Sequence, residues 1–530
     1  MVPVDIGLRP TIPEALRRAA REFGHVDYLV SMEERYTFAD AERLSGWIAR
    51  RMLAHGIGKG TRVGLFFTYG GEWLLTWLAA SRIGAFVMPF STFYSAAELR
   101  TALRIGDVDV LIAPDMVLNI DVAALLEEAL PSLAGQSAES LRLSEAPFLR
   151  RVWTTRPVVR EWATDFPLCS EPGPSDADRD LLAAAEEQVF PSDPAVAVYT
   201  SGSTAEPKGV VLTHGTVMRQ SSIMAAHQQF WADGLPPKYL TTMPLFWVGG
   251  ILAITGALHQ PMTVLCLPRL EPGPALQLLE RERGTAVIGF PTFVQRMRSH
   301  PDFTRRDLTS ARMLLEGPAD VSMINVPGEA PIHRGMSESG GSFLTTETVV
   351  VDPATGIEVP PGVAGELWIR GPGVMEGYLK KERWEVFDAD GWYHTGDRVH
   401  RLVDASDNRV FFDGRYNELI KSAGANVSPQ EVEAVLDEFE TIRCSFVVGV
   451  DDESRGEAVA AVLVLEQDAN WDPAGVIAGA RAALSSYKVP RRWFVSDERQ
   501  LPFLPTGKIN RRQLRQLIAG SALTEVTPTS

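Results

Sequence analysis

The chain has 530 residues and a formal net charge of -16, from 51 Lys and Arg against 67 Asp and Glu. That length accommodates about three or four folding units, and the acidic balance lacks the basic excess of a nucleic-acid binder. Hydrophobic residues at 45% and charged residues at 22% exclude a mainly disordered, collagen-like or membrane-embedded chain.

Residues 1–10 carry Asp5 and no apolar run, so they do not read as a secretory signal. Residues 11–23 open with Thr11, Pro13 and Glu14 and then place apolar and basic residues at helical spacing, and residues 38–55 repeat that logic up to Gly56. Both read as surface helices. From Arg62 onward, strand-like runs at 63–68, 86–90 and 108–113 alternate with helical ones at 72–81 and 96–104, the pattern of a parallel sheet with crossover helices. Residues 131–191 mix Ser, Pro, Asp and Glu with poor periodicity and read as an exposed insertion or a connection between lobes.

A second α/β unit is expected from buried strands at 195–200, 239–243, 263–267, 286–289 and 312–315, separated by helices such as 215–229 and 274–283. Further on, 366–370 and 410–412 are strand-like, 429–439 reads as a helix, and 445–450 and 458–465 read as strands. The end of the chain therefore reads as a small α+β domain, with a loose tail at 524–530. The most apolar stretch outside the strands, 248–258, is well short of the roughly twenty residues that span a bilayer, so no integral membrane segment is expected. Cys169, Cys266 and Cys444 lie far apart without CxxC spacing. Neither a disulfide framework nor a zinc cluster is supported, and a reducing, cytoplasmic setting is expected.

The strongest chemical signal is at residues 199–210, Tyr-Thr-Ser-Gly-Ser-Thr-Ala-Glu-Pro-Lys-Gly-Val, between two apolar runs. Hydroxyls of Thr200, Ser201, Ser203 and Thr204, backbone N–H groups freed by Gly202 and Gly209, and the Lys208 cation supply many donors, little bulk and positive charge. A polyphosphate needs all three. The loop lacks GxxxxGK followed by Ser or Thr, and it leads into a strand rather than a helix, so it is not a Walker A loop.

This loop resembles that of the adenylate-forming superfamily of acyl-CoA synthetases, stand-alone adenylation enzymes and beetle luciferases. Further matches follow in the family's order: Met243-Pro-Leu-Phe-Trp-Val-Gly-Gly250, Gly335-Met-Ser-Glu338, Gly365-Glu-Leu-Trp-Ile-Arg-Gly371, Tyr393-His-Thr-Gly-Asp397, Gly414-Arg415, Ile420-Lys421, Asn426-Val-Ser-Pro429 and Pro505-Thr-Gly-Lys508. The resemblance implies a large, multi-lobed N-terminal α/β domain at 1–413 that binds nucleotide and acid, and a small mobile α+β lid at 414–530. It implies ATP, Mg²⁺ and coenzyme A as cofactors and a small carboxylic acid as substrate. A homodimer stays open.

The implied first step joins two anions, a carboxylate and the α-phosphate of ATP, so catalysis must come from positioning and charge neutralisation. By resemblance, Thr200, Ser201, Gly202, Ser203, Thr204 and Lys208 hold phosphates, Thr204 with Glu338 places the metal, and Asp397 accepts hydrogen bonds from the ribose hydroxyls. Arg415, Gly317, Arg334, Gly335, Met336 and Ser337 complete the nucleotide contacts. Lys508 reaches the α-phosphate during adenylation. Lid rotation about a hinge at Asn417 then brings up the face carrying Lys421 and Gly424 for thiol attack.

The acyl pocket implied by the family falls among Met224, Trp247, Gly250, Ile251, Phe290, Met336 and Gly341. Several positions depart from the family's habit. Arg334 replaces a frequent Tyr, and a guanidinium also stacks on purines. Trp247 stands where amino-acid-activating relatives often place Asp, which disfavours an α-amino acid because an indole cannot pair an ammonium. Asn417 is a neutral hinge, and Ala423 adds a methyl before Gly424. The expected function is an ATP-dependent carboxylate:CoA ligase for an apolar aliphatic or aromatic acid. An adenylating enzyme that serves a carrier-protein thiol or another nucleophile, and a non-catalytic nucleotide or acyl-adenylate binder, are the alternatives.

Overall fold

A computed structural model describes residues 7–168, 176–200, 207–232, 234–289, 291–316, 346–402, 410–415, 419–423, 425–466, 471–503 and 509–526. The chain divides into two compact units. One comprises Met1–Thr92, Leu103–Tyr199 and Gly209–Tyr416, and the other Phe93–Ala102, Thr200–Lys208 and Asn417–Ser530.

The first unit contains an eight-stranded sheet, a five-stranded sheet and a four-stranded sheet. In the eight-stranded sheet, Arg62–Leu65 pairs in parallel with Phe86–Pro89 on one side and Val110–Ala113 on the other, and Pro194–Thr200 continues it beside Phe86–Pro89. Helices such as Gly71–Arg82 lie between successive strands in sequence, the right number of residues for parallel crossovers. The runs Val-Leu-Ile-Ala at 110–113 and Phe-Val-Met-Pro at 86–89 are buried throughout, as strands covered on both faces must be. The two N-terminal helices form as expected. In Ile12–Phe23 the Thr11 side chain caps Glu14 N–H, and Phe38–Ala54 begins with a full capping box between Thr37 and Asp40.

Three expectations are corrected. Residues 131–191 are not merely an insertion. Arg151–Thr154 and Ala163–Asp165 extend the eight-stranded sheet in parallel, and Asp176–Glu187 is a helix. Here Trp153 stacks on Phe166 with ring centroids 4.3 Å apart, so two aromatics do the burying that periodicity would have advertised in a longer strand. The run expected as a strand at 312–315 is helical, Arg312–Glu316; short apolar runs do not distinguish the two states. Finally, Thr524–Val526 is not loose, because it adds an antiparallel strand to Arg492–Val495 and is fastened by Arg492 to Glu525 at 2.7 Å.

In the second unit, Gly456–Leu465 pairs with Ile442–Asp452, Arg492–Val495 and Ile420–Ser422. Its alternate residues serve two cores. Val459, Ala461 and Leu463 pack with Val432, Leu436 and Ile477, whereas Ala460, Val462 and Val464 pack with Leu514 and Ile518. The two-residue strand period thus buries both faces against helices.

Candidate active site

Asp397 occupies the middle of Tyr393–His400, a strand in the four-stranded antiparallel sheet of the first unit. The Thr395-Gly396 dipeptide that precedes it is part of a bulge within the strand. Across from it, Glu366 faces Arg398 while Trp368 faces His394, so Thr395, Gly396 and Asp397 together stand against Leu367. Adding two residues preserves the alternation of the strand, and Tyr393, Thr395, Asp397 and Val399 all remain buried.

Thr395 stitches the bulge. Its hydroxyl donates to Leu367 O at 2.7 Å and accepts from Asp397 N–H at 3.0 Å. On the outer side, Trp368 stacks against His394 with centroids 3.7 Å apart, and His394 is tied to Asp388 at 3.1 Å. Sequence reasoning did not single out Thr395; a hydroxyl two residues before a buried carboxylate is the signal that points to it. Asp397 has no exposed surface, and its register partner on the neighbouring strand is Arg415. Sheet pairing therefore brings together two positions that the chain separates.

The helix Val248–Gly256 begins at Trp247, which is half-buried and meets Phe246 edge-on at 5.7 Å. Gly250 lies so close to the preceding turn that a Cβ there would stand 2.2 Å from Pro244 O. This spacing seats the helix start against Met243-Pro244. Ile251 and Met224 are core residues, at 0% and 2% exposure within one hydrophobic cluster. Met224 packs over Gly256, where an added Cβ would meet its Cγ at 3.3 Å.

Thr200 ends the strand Pro194–Thr200 and Lys208 opens Lys208–Thr213, so the hydroxyl-rich loop joins neighbouring strands of the eight-stranded sheet, as its lack of a following helix implies. Thr200 Oγ1 is buried without a hydrogen-bond partner among the described residues. The Lys208 strand is anchored by Leu379 N–H donating to Gly209 O at 2.8 Å and Glu376 N–H to Val211 O at 2.9 Å.

In the second unit, Lys421 lies on Ile420–Ser422, its backbone N–H donating to Glu457 Oε2 at 2.7 Å. The following residue but one, Ala423, has φ of +51°, a left-handed conformation in the hairpin to Ala425–Val427. Ser201, Gly202, Ser203, Thr204, Phe290, Gly317, Arg334, Gly335, Met336, Ser337, Glu338, Gly341, Asn417, Gly424 and Lys508 lie outside the described residues, as does the side chain of Arg415. The two expected metal ligands, Thr204 and Glu338, are among them. Among the described residues, no cluster of His, Cys, Asp or Glu is arranged to hold a metal, and no helix is long and apolar enough to cross a membrane.

The family model for AMP-binding enzymes matches residues 16–334 and 319–379, and that for the AMP-binding enzyme C-terminal domain matches 431–508. The chain belongs to the AMP-binding enzyme family. A relative from Mycobacterium tuberculosis, named 3-[(3aS,4S,7aS)-7a-methyl-1,5-dioxo-octahydro-1H-inden-4-yl]propanoyl:CoA ligase, is 30% identical across 96% of this chain and 99% of its own length. Indoleacetate--CoA ligase of Aromatoleum aromaticum is 28% identical across 93% and 96%. Among solved structures, the amide bond synthetase McbA from Marinactinospora thermotolerans is similar with a TM-score of 0.73 and 25% identity, over 95% of this AMP-binding enzyme and 99% of that chain.

Proposed function

We propose that this AMP-binding enzyme is an ATP-dependent, AMP-forming carboxylate:CoA ligase for an apolar aliphatic or aromatic acid. The observation that carries the reading is the buried Asp397 carboxylate, fixed on its bulge beside the strand position of Arg415, in a chain that both family models match. A carboxylate held in low dielectric accepts strong hydrogen bonds from vicinal ribose hydroxyls.

In the proposed reaction an acid oxygen attacks the α-phosphorus, the bond to the β-phosphate oxygen breaks, and pyrophosphate leaves. The thiol of CoA then loses its proton and attacks the acyl carbon, the bond from that carbon to the bridging anhydride oxygen breaks, and AMP departs with that oxygen. Thr200 and Lys208 contribute a donor and a charge to the phosphate loop, and Lys508 serves the α-phosphate. Mg²⁺, when bound, adds charge neutralisation at the phosphates. The division into a binding domain at 1–413 and a lid at 414–530, the hinge at Asn417 and a cytoplasmic location belong to this proposal as well. The relatives named above suggest an acid bearing a ring system on a short carboxylate arm.

A second reading is transfer of the acyl adenylate to an amine, favoured by the likeness to the amide bond synthetase. Pyrophosphate release with ATP and Mg²⁺, measured over fatty, aryl and ring-bearing acids with and without CoA, tests both. Thioester detected by mass with one acid class supports the ligase. Pyrophosphate without thioester, and amide formed when an amine is supplied, supports the second reading.

A further inference from the structure

Gly396, at the centre of the bulge, has φ of +71°, a left-handed conformation that glycine adopts without steric cost. The bulge takes its N–H out of the strand ladder. That N–H instead donates to Glu366 Oε1 at 2.8 Å. Glu366 is half-buried on Gly365–Arg370, and its backbone faces Arg398, one residue past Asp397. One carboxylate therefore ties the crest of the bulge to the strand opposite, while Thr395 ties its other flank to Leu367 O.

Resting on the reading of Asp397 as the ribose acceptor, we propose that Glu366 is a positioning residue for the nucleotide, acting through Gly396 to hold the bulge that aims Asp397. Glu366 touches no nucleotide in this role. Its carboxylate satisfies a backbone donor that the bulge has orphaned, and this lets the extra residues persist on the inward side. Without an acceptor, the strand gains by relaxing toward regular pairing. Losing one of the two extra residues from the bulge would turn Asp397 to the exposed face, because side chains alternate with a period of two.

The test is calorimetric binding of ATP, 2′-deoxy-ATP and 3′-deoxy-ATP with Mg²⁺ to the full chain, which needs no knowledge of the acid. The wild type is expected to prefer ATP over each deoxy analogue by about 10- to 100-fold, the worth of a hydrogen bond to a charged group. Glu366→Ala is expected to lose most of that preference, and Glu366→Asp likewise, because it keeps the charge but shortens the reach. Glu366→Gln, which keeps an acceptor oxygen, is expected to retain it.

Asp397→Asn separates the two ideas. If it abolishes the preference while folded Glu366→Ala or Glu366→Asp keeps it, the positioning role is overturned and the ribose assignment stands. If the wild type or Asp397→Asn shows that the preference does not depend on Asp397, the ribose assignment falls and takes the proposal with it. Should Glu366→Ala fail to fold, Glu366→Asp against Glu366→Gln gives the same decision, since both retain polarity and near-native volume.

Discussion

His214 and His259 are buried bases in the first unit, at 0% and 7% exposure. His214 Nδ1 accepts from Ile12 N–H at 3.4 Å, and His259 Nε2 lies 2.9 Å from Ser221 Oγ. Burial pushes the His214 imidazole down to about 4, a shift that Asp193 opposes and Lys59 reinforces. Burial also pushes His259 down to about 3, reinforced by Arg18 and opposed by a hydrogen bond that the ring donates to the Met218 backbone. Both stay neutral in the folded chain, whereas the unfolded chain takes up each proton near pH 6.5. The unfolded state therefore binds more protons below that pH, so stability should fall as pH drops from about 6.5 toward 4, by about 1.4 kcal/mol per pH unit for each histidine. Urea unfolding at pH 7, 6 and 5 checks this, and His259→Gln should show a shallower loss than the wild type. At Ala423 the φ of +51° disfavours a side chain, so Ala423→Gly is expected to raise stability by roughly 0.5–1 kcal/mol after the entropy of a freer unfolded chain is counted. Thermal unfolding measures it. The Ala423 position was visible in the sequence as a departure, but its left-handed backbone was not, since φ depends on the hairpin that Ile420–Ser422 makes with its neighbour.

Elements in this protein are held by a few buried groups as well as by apolar packing. Arg82, at the end of Gly71–Arg82, donates to Ser45 Oγ at 3.0 Å and Glu42 Oε1 at 2.8 Å and pairs with Glu186 of Asp176–Glu187. Glu186 in turn meets Arg17 at 3.0 Å. Four helices thus converge on one ion cluster, with the Arg82 and Glu186 side chains 4% and 3% exposed. Arg82→Met leaves Glu186 as a buried charge short of a partner and should cost about 3–5 kcal/mol, read from denaturant midpoints. Adding Glu186→Gln should recover part of the loss. At the start of Val248–Gly256, Gly250→Ala places its methyl against Pro244 O, a backbone atom 2.2 Å away. The turn at 243–247 must then move, at a cost of about 1–3 kcal/mol, with a fall in melting temperature as the measure. Long amphipathic helices and fully apolar strands were legible from period alone. Arg151–Thr154, Ala163–Asp165 and Thr524–Val526 were not. Each is short and polar-rich, and becomes a strand only because a neighbouring edge supplies its backbone partners.

At the scale of the molecule, the proposed two-step reaction makes separate demands on Lys508 and on the lid face that carries Lys421. Lys508→Ala is expected to lower acyl-adenylate formation by several hundred-fold or more, in line with the removal of one preorganised charge from a transition state (about 10²–10³). Thioester formation from a supplied acyl adenylate should be largely kept. Single-turnover assays of each half-reaction measure this, and equal loss of both would refute the separation of the two steps. The sequence by itself determined the family, through ordered motifs from Thr200 to Lys508, and with it the α/β class. Those motifs combine residue types that phosphate and ribose chemistry demands at close sequence spacing, so they can be read without coordinates. Only the tertiary structure decided that Thr395-Gly396 forms a bulge, that Glu366 closes it, and that Asp397 and Arg415 are register partners. It also decided that Met224 and Ile251 sit in the core. These are relations between residues distant in the chain, set by strand pairing and packing, and no local pattern of residue types encodes which backbone N–H loses its ladder partner or which apolar side chain faces its own core.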